Sequence, residues 1–153
     1  YVPLTDELYF SEEDEGAYYQ KGREISRISV SLERRMERMR VVLSRSRGEA
    51  ERDLVKKHQF GETIVKGRSI KGCLIARGEA EIYLKLAKVS EWDLCAVDAL
   101  VTEAGGVVTD LQGRRIRYNQ ENTRVPFFLM SNNTNHQGLL NIINAYQQSS
   151  RNV

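Results

Sequence analysis

Apolar positions change their period about a quarter of the way along the chain. Residues 1 to 31 carry three short alternating runs, Leu8 to Phe10, Ala17 to Tyr19 and Ile25 to Val30, separated by Glu, Asp and Gly. That pattern predicts antiparallel hairpin strands, which need a partner layer to be stable. Ser31 to Arg40 is charged and lacks a clean period, so it reads as a polar connection or a short helix. Met39 to Leu43 then turns apolar and β-branched, a buried-strand signature, and a helical stretch from Gly48 to Lys57 follows. The alternation repeats with a strand at Thr63 to Val65, a small-residue helix through Ala76, and a strand at Glu81 to Leu86. Ser90 to Gly106 is predicted as a helix, with Ser90 as N-cap, Asp93 as its capping-box partner and Gly105-Gly106 as the stop. Trp92, Cys95/Ala96, Ala99/Leu100 and Ala104 mark its buried face. Strands at Val107 to Thr109 and Val125 to Met130 and a last helix from about His136 to Tyr146 complete the pattern.

Strands alternating with helices over short connections predict an α/β domain, a layered, mostly parallel sheet flanked by helices, over residues 32–153. Residues 1–31 do not share that pattern. They read as a remnant of an antiparallel sheet, the edge of an otherwise missing N-terminal α+β domain, and the opening on Tyr1 fits a fragment.

Composition changes little in this picture. With 153 residues, 41% of them hydrophobic and 29% charged, the chain can bury a real core. A net charge of +2 gives no general argument for nucleic acid, although residues 34 to 47 hold six arginines against one glutamate. Cys73 and Cys95 fall in apolar helical patterns and read as reduced core thiols, which makes cytoplasmic the default compartment. Neither a zinc-ligand spacing nor a long apolar run is present, so no membrane partner is expected.

Candidate chemistry gathers where strands hand over to helices, the edge at which α/β sheets bind ligands. Three loops there are polar: Ser44-Arg45-Ser46-Arg47, Gly67-Arg68-Ser69-Ile70-Lys71, and Lys85 to Asp93. Hydroxyls, cations, one carboxylate and the N–H groups of helix starts suit a phosphate ester beside a metal. Each residue also has a plainer reading. The serines can be helix caps, the cations solvated, and Asp93 a first-turn acid on the helix dipole. His58 and His136 read as surface or capping residues without a catalytic role. No P-loop or nucleophile elbow occurs.

Three segments read together carry a resemblance. GRSIKGCLIARGEAEIYLKL (Gly67 to Leu86), EWDLCAVDALVTEAGGVVTDLQG (Glu91 to Gly113) and FLMSN (Phe128 to Asn132) resemble the C-terminal half of the inositol monophosphatase superfamily. The W-D and E-A-G-G run is its second signature. VVLSRSR (Val41 to Arg47), the Ser69/Lys71/Cys73 segment and Lys85 look most like CysQ-type 3'(2'),5'-bisphosphate nucleotidases. The resemblance implies a Mg²⁺-dependent phosphomonoesterase removing the 3'-phosphate of 3'-phosphoadenosine 5'-phosphate. It implies Asp93 as a metal ligand, and Ser69, Lys71, Lys85 and Arg47 as substrate-binding residues. A cation at Lys85, where inositol-specific members carry an acid, favours a substrate with a second phosphate.

The chain departs from the family at several points. Arg47 stands where the nucleotidases have a histidine, and Arg68 where they have a small hydroxyl residue. The first signature, D-P-[IL]-D-[GS]-[TS], and an upstream glutamate supply most metal ligands and the water-activating residue, and they are absent from this sequence. No catalytic residue is therefore assigned here, and the chain is expected to be inactive alone. The implied ligand is a small phosphorylated molecule, a nucleotide bisphosphate or an inositol phosphate. The implied partner is a second copy or the chain's own N-terminal half. The rival readings are an inositol monophosphate phosphatase, a non-catalytic binding or assembly module of the same fold, and, weakest, a nucleic-acid binder through Arg34 to Arg47.

Overall fold

The computed structural model describes residues 1–45, 48–67 and 69–151. Three strands come first: β1 (Glu7–Glu12), β2 (Gly16–Lys21) and β3 (Glu24–Ile28), antiparallel in the order β1-β2-β3. Asp14 at φ 62° and Gly16 at φ 104° turn the chain between β1 and β2, a conformation that Gly and Asp accept most readily. Alternation puts Tyr9, Ala17 and Ile28 on the inner face and stacks Phe10 on Tyr18 on the outer one, with ring centroids 5.3 Å apart. The connection that follows contains one short 3₁₀ turn, Met36–Arg38.

The α/β part runs β4 (Val41–Ser44), α1 (Glu49–His58), β5 (Thr63–Lys66), α2 (Ile70–Ala76), β6 (Ile82–Lys85), β7 (Val89–Ser90), α3 (Glu91–Glu103), β8 (Val107–Asp110), β9 (Arg124–Val125), β10 (Phe128–Ser131) and α4 (His136–Arg151). The central five-stranded sheet has the order β5-β4-β6-β10-β8. β4 is parallel to β5 and β6, and β10 is antiparallel to both β6 and β8. The sheet is thus mixed: four strands share one direction and β10 opposes them.

Strand alternation sorts side chains onto the two faces of this sheet. Val42, Tyr83, Val108, Phe128 and Met130 pack with residues of α2 and α3, whereas Val41, Leu43, Ile82, Leu84 and Leu129 pack with residues of α1 and α4. The antiparallel sheet covers the far side of the α2/α3 layer, contributing Ala17, Tyr9 and Ile28 to the same cluster. Arg40 and buried Glu81 join the connection to β6 through a 2.7 Å ion pair. Asn132 Nδ2 donates to the carbonyls of Ser31 and Glu33 at 2.9 Å each, which fixes the connection against the end of β10.

Several expectations need correction. Val125 to Met130 forms two strands, because Pro126 lacks the N–H that a continuing ladder requires; β9 pairs with β7, and β10 enters the central sheet. On α3 the buried stripe is Leu94, Val97, Leu100, Val101 and Ala104. Trp92 is 69% exposed and Cys95 is exposed. Leu and Val bury more area than Ala or Cys, so they decide which face turns inward.

Candidate active site

Going from β4 through α1 the chain steps outward to β5, and from β5 through α2 it crosses back to β6 on the other side of β4. The switch in direction lies between the C-terminal ends of β4 and β6, which is where such sheets leave a crevice for ligands. Ser69, Lys71, Lys85 and Asp93 lie at this corner: Lys85 closes β6, Ser69 and Lys71 begin α2, and Asp93 is in the first turn of α3.

Neither serine cap forms. Ser69 makes no side-chain cap to α2, and its Oγ donates to the Asp93 carbonyl at 3.2 Å, tying the starts of the two helices together. Ser90 occupies the N-cap of α3 in an extended conformation without a side-chain cap; its Oγ accepts from Arg124 Nη1 at 3.2 Å instead. The expected capping box is therefore not formed, and the Asp93 side chain is exposed at the corner. Glu91 holds α3 from the side, accepting the backbone N–H groups of Asn119 and Gln120 at 3.1 and 3.2 Å.

Lys71 is 4% exposed, and its ammonium stands 4.9 Å from the centroid of the Tyr83 ring, a cation–π geometry. Burial, and secondarily the like charge of Lys85, pull its pKa down to about 8, with Asp93 acting in the opposite sense. Burial first, then the negative charges of Glu51 and Asp93, push the Tyr83 phenol upward. Lys85 Nζ lies 3.3 Å from Glu51 Oε1, with little of either side chain exposed. The corner presents an anion with two ammonium groups, that of Lys85 paired with Glu51, and with the backbone N–H groups of helix starts, and it offers the exposed Asp93 carboxylate to a cation.

Arg47, the fourth expected substrate contact, lies outside the described residues, as does Arg68. Two participants were missed from sequence. Glu51 falls on the buried stripe Glu51/Leu54/Val55, where an acid among apolar positions is the readable signal. Tyr83 carries no such signal, since an aromatic in an alternating strand is ordinary. His136 is half-buried, and its ring is held by two hydroxyls: its Nδ1 lies 2.8 Å from Ser131 Oγ and its Nε2 2.8 Å from Thr109 Oγ1. Thr109 Oγ1 donates to the Asp110 carbonyl, so it accepts from Nε2–H. Burial draws the His136 pKa down to about 4. Because β10 is antiparallel, Ser131 sits beside Ile82 at the opposite end of β6 from Lys85, so His136 is remote from the corner.

Magnesium takes about six oxygen ligands in near-octahedral geometry. Among the described residues no group of three or more His, Cys, Asp or Glu side chains could hold a metal. Asp93 is a single carboxylate, and Glu51 is engaged with Lys85 and the Leu86 N–H. These residues on their own do not make a Mg²⁺ site. Two surface hollows run along α4, one lined by Leu111, Gln112 and Asn144, the other by Ala50, Leu86 and Phe127. Neither is lined by Ser69, Lys71, Lys85 or Asp93.

The chain is similar to several known proteins. Residues 1–148 match the model of the inositol monophosphatase family. The 3'(2'),5'-bisphosphate nucleotidase CysQ of Escherichia coli K12 is 39% identical over 82 residues, covering 51% of this chain and 32% of that protein. CysQ of Buchnera aphidicola is 32% identical over 128 residues, 83% of this chain and 47% of the relative. Among solved structures, CysQ from Bacteroides thetaiotaomicron, described as a bacterial member of the family, superposes with a TM-score of 0.73 at 33% identity, over 86% of this chain and 55% of that one. A Thermotoga maritima IMPase shares the fold with a TM-score of 0.81 at 20% identity, over 97% and 56%. The chain thus spans a little over half the length of these two solved chains, and half or less of the two CysQ sequences.

Proposed function

Because the chain belongs to the inositol monophosphatase family, we propose that it supplies the substrate-binding side and one metal ligand of a CysQ-type, Mg²⁺-dependent phosphomonoesterase acting on 3'-phosphoadenosine 5'-phosphate. The observation that carries this reading is the convergence of Ser69, Lys71, Lys85 and Asp93 at the switch point of the sheet, where Ser69 is bonded to Asp93 rather than capping its own helix. In this role Lys71 and Lys85 bind and neutralise phosphate oxygens. Ser69 holds the α2 start against the first turn of α3, and Asp93 presents one oxygen ligand to a cation whose remaining ligands come from outside the described residues. A bound Mg²⁺ would supply charge neutralisation at phosphorus and an activated water. Residues 1–31 are the edge strands of a larger antiparallel domain in the same proposal.

A second cation at Lys85 favours a bisphosphate over an inositol monophosphate. Phosphate release from 3'-phosphoadenosine 5'-phosphate and from inositol 1-phosphate, each with Mg²⁺, tests the assignment. The chain alone should release none above background. A protein joining it to a domain with the D-P-[IL]-D-[GS]-[TS] motif should hydrolyse the nucleotide in preference. Turnover by the chain alone would sink the shared-site reading. An inactive joined protein would favour the non-catalytic module, a rival supported by the lack, among the described residues, of a group of acids able to hold a metal.

A further inference from the structure

We propose that Glu51 is a positioning residue that gives this site its preference for a ligand with two phosphates, by holding the Lys85 ammonium and the Leu86 N–H on one carboxylate oxygen. The proposal rests on the reading of Lys85 as a substrate contact.

Glu51 is only 5% exposed and shares the buried stripe of α1 with Leu54 and Val55. An ionised carboxylate in such a place is costly unless it is paired and hydrogen-bonded. It is both: Oε1 accepts the Leu86 N–H at 3.0 Å and meets Lys85 Nζ at 3.3 Å. Since α1 follows β4 and Leu86 follows β6, this one oxygen bridges the two sides of the crevice.

Lysine is a point charge on a flexible stem with three donors. One donor on Glu51 fixes the stem of Lys85 and leaves two N–H groups for another acceptor. Lys71 is near enough for the two ammonium groups to repel, so without the carboxylate Lys85 would swing away from its neighbour. Glu51 therefore sets a spacing between two cations. A single phosphate can be met by either one, whereas a second phosphate needs both in place. Replacing Glu51 with Gln keeps an acceptor for Leu86 but removes the charge. Any anion then feels a more positive site, and the ligand that needs a fixed Lys85 loses its advantage.

Calorimetric titration with 3'-phosphoadenosine 5'-phosphate and with adenosine 5'-monophosphate reads this as a ratio of affinities. Glu51→Gln should lower the ratio about tenfold, and Lys85→Met should lower it comparably. Glu51→Gln added to Lys85→Met should cost nothing further. A ratio within twofold of wild type in Glu51→Gln, or additive losses in the double variant, would overturn the positioning role while leaving the functional reading intact. Wild-type protein that binds neither nucleotide would remove both. If Glu51→Gln does not fold, the double variant, which removes both charges together, supplies the comparison with Lys85→Met. In that case a ratio in the double variant below that of Lys85→Met would overturn the proposal, and an equal ratio would support it.

Discussion

Lys71 is an amine buried beside a second amine and an aromatic ring, and its pKa is drawn from 10.5 down to about 8. Protonation is what lets it neutralise phosphate, so nucleotide affinity should fall as pH rises from 7 to 9, and Lys71→Met should flatten that dependence in calorimetric titrations. Stability of the ligand-free protein should move the other way. The unfolded chain keeps the lysine proton up to about pH 10.5, whereas the folded one releases it near 8. Unfolding therefore takes up a proton between those values, and stability rises with pH across that window. Affinity that holds constant from pH 7 to 9 would remove Lys71 from the site. At this scale the sequence was only partly legible. The type and placement of Ser69, Lys71, Lys85 and Asp93 could be read from loops that lead into helices. That Ser69 bonds Asp93 instead of its own helix could not, since a 24-residue separation is set by the packing of α2 on α3.

That packing depends on one glycine. A Cβ at Gly72 would lie 2.7 Å from Val97 Cβ, 3.1 Å from Val97 Cγ2 and 3.3 Å from Met130 Sδ. Val97 is itself buried and β-branched, so it cannot step aside. Gly72→Ala should cost about 1–3 kcal/mol despite the better helix propensity of alanine, because overpacking a tight contact outweighs a gain of under about 1 kcal/mol. Differential scanning calorimetry would show a Tm lowered by several degrees, and an unchanged or raised Tm would mean that α2 and α3 sit farther apart. At the scale of elements the hydrophobic pattern locates most regular segments to within a few residues; it misses β7, the split at Pro126 and the last turn of α4. It misplaced the buried stripe of α3, where Trp92 and Cys95 have the right spacing yet face outward. Periodicity identifies a helix well and its inward face less well when small residues occur all round it.

At the scale of the molecule four layers stack: the antiparallel sheet, α2 with α3, the mixed sheet, and α1 with α4. The layer order explains why the corner has its composition. Helix starts from the second layer and a helix stripe from the fourth meet at the end of β6, so α1 can reach Lys85 with Glu51 while α2 and α3 bring Lys71 and Asp93. The opposed direction of β10 was not legible in sequence, because an apolar four-residue strand reads the same in either direction. It sends His136 to the opposite end of the sheet from Lys85.

In the proposed function this corner of the chain, and not its arginine-rich connection, receives the phosphorylated ligand. A two-dimensional amide NMR titration of the chain with 3'-phosphoadenosine 5'-phosphate tests it directly. Shifts should concentrate at residues 69 to 72, 85 to 86 and 91 to 94. Shifts centred instead on residues 34 to 38, or none at saturating nucleotide, would contradict it.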